Sequence, residues 1–66
     1  SLLSVTPNST YLKAGDLVFY ASGGRVDHVA MYIGDGKVVH ASDYSTGVII
    51  SRYNYRTPHS AKRVIY

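Results

Sequence analysis

Sixty-six residues with a net charge of +3 and no cysteine make one small domain at most, and a chain of this size buries only about 60% of the surface its unfolded form exposes. Disulfides are excluded as a source of stability, no Cys/His cluster suggests structural zinc, and no segment has the length and apolarity of a membrane-spanning helix. Seven Lys and Arg against four Asp, with Arg52, Arg56, Lys62 and Arg63 in the last third, favour anionic partners such as cell-wall polymers, nucleic acid or acidic lipids without choosing among them.

In chain order, residues 1–11 read as a connector. They start at Ser1 and lack the basic region and apolar core of a signal peptide; the opening suggests a piece of a longer protein. Lys13-Ala14-Gly15 is a turn that launches a short strand, Asp16-Leu-Val-Phe-Tyr20, closed by Ser22-Gly23-Gly24. Two further strands are expected at about 27–33 and 37–42, with Val48-Ile49-Ile50 after a polar loop over 43–47. A last alternation, Arg63-Val-Ile-Tyr66, follows a break at Pro58. Residues 52–56 have room for one helical turn, but no stretch shows sustained helical periodicity. The expected fold is therefore mainly β, an antiparallel meandering sheet of about five strands.

The chemistry is concentrated in two histidines, His28 and His40, on the two strands of the hairpin-like segment 27–41. Val29, Met31 and Ile33 alternate with His28, Ala30 and Tyr32, so the first strand has two distinct faces. Whether the imidazoles meet depends on parity. A three-residue loop, Gly34-Asp35-Gly36, pairs Ile33 with Lys37, Ala30 with His40 and His28 with Ser42, making the histidines diagonal neighbours about 7–8 Å apart in backbone position. A two-residue Asp35-Gly36 loop pairs Met31 with His40 instead and puts the rings on opposite faces, so the functional reading depends on the longer loop.

Other polar residues carry less. Seven tyrosines read chiefly as cross-strand packing residues with wet hydroxyls; Tyr32, sharing a face with His28, is the substrate-face candidate. His59 reads as a surface residue, and a zinc site using it with His28 and His40 needs a ligand far from the hairpin. No metal and no cofactor is expected. By alternation Asp27 lies on the face away from His28, and Asp16 reads as a cap at its strand entrance.

Leu12-Lys-Ala-Gly-Asp-Leu-Val-Phe-Tyr20, then His28-Val-Ala-Met-Tyr-Ile-Gly-Asp-Gly-Lys-Val-Val-His-Ala41, Gly47-Val-Ile-Ile50 and the closing Ala61-Lys-Arg-Val-Ile65 closely resemble the C-terminal half of the NlpC/P60 cell-wall peptidases. The resemblance covers most of residues 12–66, in three ordered, correctly spaced motifs and the closing segment. It implies the β half of an α+β, papain-like domain, with residues 12–66 lacking the helical half that carries the cysteine. It also implies His28 as general base and His40 as the polar third residue of a cysteine-peptidase site. Such a base takes the thiol proton and gives a thiolate–imidazolium pair, and a second imidazole orients the first.

The same resemblance implies a secreted or cell-wall location in a bacterium, or a phage-encoded protein, and stem peptides of peptidoglycan as substrate. Without a cysteine the chain is expected to be inactive alone. Expected partners are an N-terminal cysteine-bearing half or a second copy, covering a His28/Ala30/Tyr32 face left open. Two rivals stand beside this reading: a catalytically dead relative that binds wall or a partner chain, and a basic, tyrosine-rich nucleic-acid module. The second leaves the histidine pair unexplained.

Overall fold

Short β-branched and aromatic runs separated by glycine turns form six strands in the computed structural model, which describes residues 1–41 and 47–65. These are β1 (Leu2–Val5), β2 (Leu17–Ser22), β3 (Arg25–Gly34), β4 (Lys37–Ala41), β5 (Val48–Arg52) and β6 (Pro58–Val64). All pair antiparallel in one sheet of order β1-β6-β2-β3-β4-β5. Strands β2 to β5 are the expected meander; β6 returns to the free edge of β2, and no helix occurs among the described residues.

The sixth strand comes from the stretch read as a connector. Leu2 to Val5 pair with Val64 to Ala61, a partnership between opposite ends of the chain that short-range reading does not reach. The last strand also starts earlier than expected, at Pro58, because a proline is tolerated as the first residue of a strand. Residues 53–56 form a turn instead of a helical one. Ser42, the expected partner of His28, and the loop residues 43–46 lie outside the described residues, as does Tyr66.

One face of the sheet is closed. Val18, Tyr20, Ala30, Tyr32, Val38 and Ala61 are buried on it, and Leu12 from the loop before β2 is buried against them. Val5 and Tyr53, partly buried, pack against this cluster. This corrects the expectation of an open His28/Ala30/Tyr32 face. Ala30 and Tyr32 are 3% and 4% exposed, whereas Val29, Met31 and Ile33 on the other face are 46%, 44% and 41% exposed.

The hairpin between β3 and β4 also differs from expectation in a way that preserves its consequence. Gly34 pairs with Lys37, so the loop is the two-residue Asp35-Gly36, with both φ values positive at 59° and 75°, as the hairpin turn of type I′ requires. A bulge then follows: Tyr32 pairs with Val38 and Met31 with Val39, which leaves Ile33 unpaired. The extra residue shifts pairing by one. Continued one step, the register sets Ala30 against His40, the pairing that a three-residue loop was needed to give.

Asp16 anchors the loop that leads into β2. Its carboxylate accepts hydrogen bonds from the Lys13 backbone N–H and from Nε and a terminal nitrogen of Arg63, each at 2.9 Å. Asp16 is buried, and the two-point guanidinium contact is what allows a carboxylate to be buried there. Hydrogen bonding by Arg63 holds its pKa below the ordinary value against the opposing effect of burial.

Candidate active site

Three polar side chains from successive strands form a chain on the closed face. His28 Nε2 lies 2.7 Å from His40 Nδ1, with the rings edge to face, 4.8 Å between centroids and 75° between planes. His40 Nε2 lies 3.0 Å from Ser51 Oγ. Register explains both contacts: Ala30 falls opposite His40, and His40 is paired with Ile49 while Val38 is paired with Ser51. His28 and Ser51 are thus diagonal neighbours of His40 on either side, within reach across a sheet.

His40 is 8% exposed, and burial, with a smaller contribution from charge at His28, pushes its pKa below the ordinary imidazole value. It therefore resists a second proton when its neighbour carries one. His28 is less enclosed, and its Nδ1 is the ring nitrogen left over by the contact with His40. An imidazole with one nitrogen held by a partner suits proton exchange through the other.

Aromatic side chains wall the pair. Tyr20 stands directly opposite His28 in the β2–β3 register, at 6.1 Å between rings. Tyr55, from the turn after β5, lies over His40 at 5.3 Å and against Tyr20 at 5.2 Å. The Tyr20 hydroxyl donates to the Tyr53 carbonyl at 2.6 Å, and burial raises the Tyr20 pKa to about 12. An open hollow beside the pair is bordered by Asp27, His28, His40, Ser51, Tyr55 and Arg56, among others.

Asp27 is at this rim because of a second bulge. Tyr20 pairs with His28 but Ala21 pairs with Val26, so Asp27 is the extra residue and escapes strict alternation. Its carboxylate accepts from Arg56 at 3.1 and 3.3 Å, and the same guanidinium donates to the Ala21 carbonyl and Ser22 hydroxyl and lies 5.7 Å from the centre of the Tyr20 ring. Hydrogen bonding to Ser22, then to Arg56, holds the Asp27 pKa below its ordinary value. The expected placement of Asp27 on the far face is corrected accordingly.

Tyr32, the substrate-face candidate, does share the face of His28, but it is buried, and its hydroxyl accepts the Gly36 N–H at 2.8 Å. It fastens the hairpin and does not border the hollow. His59 is exposed, with its Nδ1 3.0 Å from Ser60 Oγ, as expected. Among the described residues no cluster of three His, Cys, Asp or Glu side chains could hold a metal ion.

Ser51, Tyr55 and Arg56 were not singled out by sequence reading. The alternation Ile49, Ser51, Tyr53 was the available signal, but it needs the β4–β5 register, and no turn signature in the sequence sets that register.

A model of the NlpC/P60 family matches residues 4–65. The chain is 51% identical over 43 residues to the murein DD-endopeptidase MepS/murein LD-carboxypeptidase of Escherichia coli K12, covering 65% of this chain and 22% of that protein. It is 48% identical over 40 residues to the gamma-D-glutamyl-L-lysine dipeptidyl-peptidase of Bacillus cereus, covering 56% of this chain and 12% of that protein. With the gamma-DL-glutamyl hydrolase of Bacillus subtilis it is 46% identical over 46 residues, 64% of this chain and 11% of that protein. The chain thus spans about a fifth or less of the length of these relatives.

Proposed function

The chain belongs to the NlpC/P60 family, and from that premise we propose that it is the histidine-bearing half of a cysteine endopeptidase that cleaves stem peptides of bacterial peptidoglycan. The observation that carries the reading is the His28 Nε2 to His40 Nδ1 contact at 2.7 Å, which leaves His28 Nδ1 for a thiol. His28 is the general base, and His40 orients it. The chain has no cysteine, so alone it hydrolyses nothing by this route; the thiol comes from a second segment, an N-terminal half of the same domain.

In this mechanism the thiol loses its proton to His28 Nδ1 and the thiolate attacks the scissile carbonyl carbon. His28, now imidazolium, keeps its Nε2–H directed at His40 Nδ1, which steadies the positive charge while His40 remains neutral. As the tetrahedral intermediate collapses, the C–N bond breaks and the proton on His28 Nδ1 leaves with the amine. Water then gives a proton to His28 and attacks the thioester, and collapse releases the carboxylic acid and returns that proton to the thiolate.

The cysteine-bearing segment is the partner we assign to the apolar face opposite the core. Phe19, Val26 and Val29 border a hollow that continues to Asp27 and His28, and the exposed Val29, Met31 and Ile33 give such a segment an apolar seat. A second copy of the chain is the substitute occupant when that segment is missing. Membership of the family supports a cell-wall or secreted location, and the surplus of basic residues suits an anionic wall.

The test is to express this chain together with the cysteine-bearing segment and follow new amines released from purified peptidoglycan. Turnover that requires the cysteine and drops about 10²–10⁴-fold in His28→Ala supports the reading. A folded complex that binds wall without turnover overturns it in favour of a catalytically dead wall-binding relative, the alternative that the absence of cysteine keeps open.

A further inference from the structure

We infer that Ser51 is a positioning residue whose hydroxyl permits the tautomer of the histidine pair in which His28 Nδ1 is bare. The inference rests on the catalytic reading of His28 and His40 and deepens it, but it concerns where two protons sit in this chain and is tested without turnover.

A nitrogen–nitrogen contact of 2.7 Å between two neutral imidazoles holds one hydrogen, which leaves two arrangements. In the first, His28 Nε2–H donates to His40 Nδ1, His40 carries its own proton on Nε2, and His28 Nδ1 is bare. In the second, His40 Nδ1–H donates to His28 Nε2, His40 Nε2 is bare, and His28 carries its proton on Nδ1. Only the first gives a base that accepts a proton at the open nitrogen.

The two arrangements differ at the far end in what they ask of the partner of His40 Nε2. That atom is on a buried ring, and its contact is Ser51 Oγ at 3.0 Å. In the first arrangement the serine oxygen accepts the His40 Nε2–H, so a buried donor is satisfied; in the second the serine O–H donates to the bare nitrogen, so the hydroxyl admits both. Remove the oxygen and that donor is stranded, whereas the second arrangement strands only an acceptor; orphaned N–H groups are the rarer of the two in folded proteins. Losing the hydroxyl therefore tilts the pair toward the arrangement that blocks His28 Nδ1 with hydrogen.

Local sequence agrees that position 51 is not there for strand formation. Val48, Ile49 and Ile50 are β-branched strand formers, and serine is not among the residues enriched in strands. A hydroxyl at the one β5 position diagonal to His40 has a partner that valine or isoleucine lacks.

The experiment is long-range ¹H–¹⁵N correlation of the imidazole nitrogens in the 66-residue chain at alkaline pH. We expect His28 Nδ1 to read as a bare, pyridine-type nitrogen and His40 Nε2 as a protonated, pyrrole-type one. In Ser51→Ala both shifts should move at least a third of the way toward the opposite type. Ser51→Thr, which keeps the hydroxyl, should retain the native pattern, and Ser51→Val, matched to threonine in shape, should behave as alanine does. A protonated His28 Nδ1 in the native chain, or shifts that are the same in Thr and Val, overturns the inference. The native spectrum decides the first point even if a variant fails to fold.

Discussion

Ile33 is the residue through which Gly34 and Tyr32 fall into different registers with β4, and on that one bulged position the meeting of His28 and His40 depends. Gly34 pairs with Lys37, Tyr32 with Val38. Without the bulge the two-residue turn sets His28 and His40 on opposite faces; with it, their nitrogens are 2.7 Å apart. A second bulge, at Asp27, brings the Asp27–Arg56 pair to the rim of the same hollow. These two bulges flank the site, as bulges commonly do.

His40 makes the fold sensitive to mild acid. Its folded pKa lies below the ordinary 6.5, through burial first and His28 second, so the unfolded chain binds the proton more readily. Stability is complete above about pH 6.5 and declines as pH falls from there toward the folded value. Denaturant midpoints should drop between neutrality and mildly acidic pH, and His40→Asn should flatten that part of the profile.

Tyr20 gives the opposite dependence at high pH. Its folded pKa is about 12 against an ordinary 10.0, so its contribution is complete below pH 10 and is lost as pH rises from there through about 12. In an absorbance titration of phenolate formation, one tyrosine should lag the others and disappear from the late phase in Tyr20→Phe. That variant also removes the donor to the Tyr53 carbonyl and should cost about 1 kcal/mol.

Asp16→Asn should destabilise the chain by about 2 kcal/mol, since the carboxylate accepts two hydrogen bonds from Arg63 and one from Lys13 at a buried position. The native Asp16 pKa is depressed, so its stabilisation is present above about pH 3.8 and lost as pH falls through the folded value. Thermal melts of native and Asp16→Asn chains should differ at pH 7 and converge at strongly acidic pH.

The exposed Val29, Met31 and Ile33 face should drive association of the isolated chain. Sedimentation velocity at rising concentration is expected to show dimers or larger species, and Met31→Lys should return the chain toward monomer. A native chain that stays strictly monomeric at high concentration counts against a covered role for this face.

Much of the fold was legible because its signals are local. The period-two alternation in residues 28–33, the Asp35-Gly36 turn and the β-branched restart at Val38 define a hairpin by themselves, and the ordered motifs placed the chain in its family. Asp16 was readable as a cap, though its partner Arg63, 47 positions away, was not. Strand β1 was missed for the same reason: Leu2 to Val5 become a strand only by pairing with β6.

Residue order alone nominates the candidate chemistry and determines the antiparallel meander and the absence of a thiol from these 66 residues, because residue type, alternation and turn chemistry act over a few neighbours. Three-dimensional pairing was needed to settle which face of the sheet is closed, that Tyr32 fastens a hairpin while Tyr55 covers His40, and that Ser51 meets the outer nitrogen of His40. Those outcomes depend on register between strands, where a single bulged residue reverses a face, and on packing among side chains distant in the chain, which no local pattern encodes.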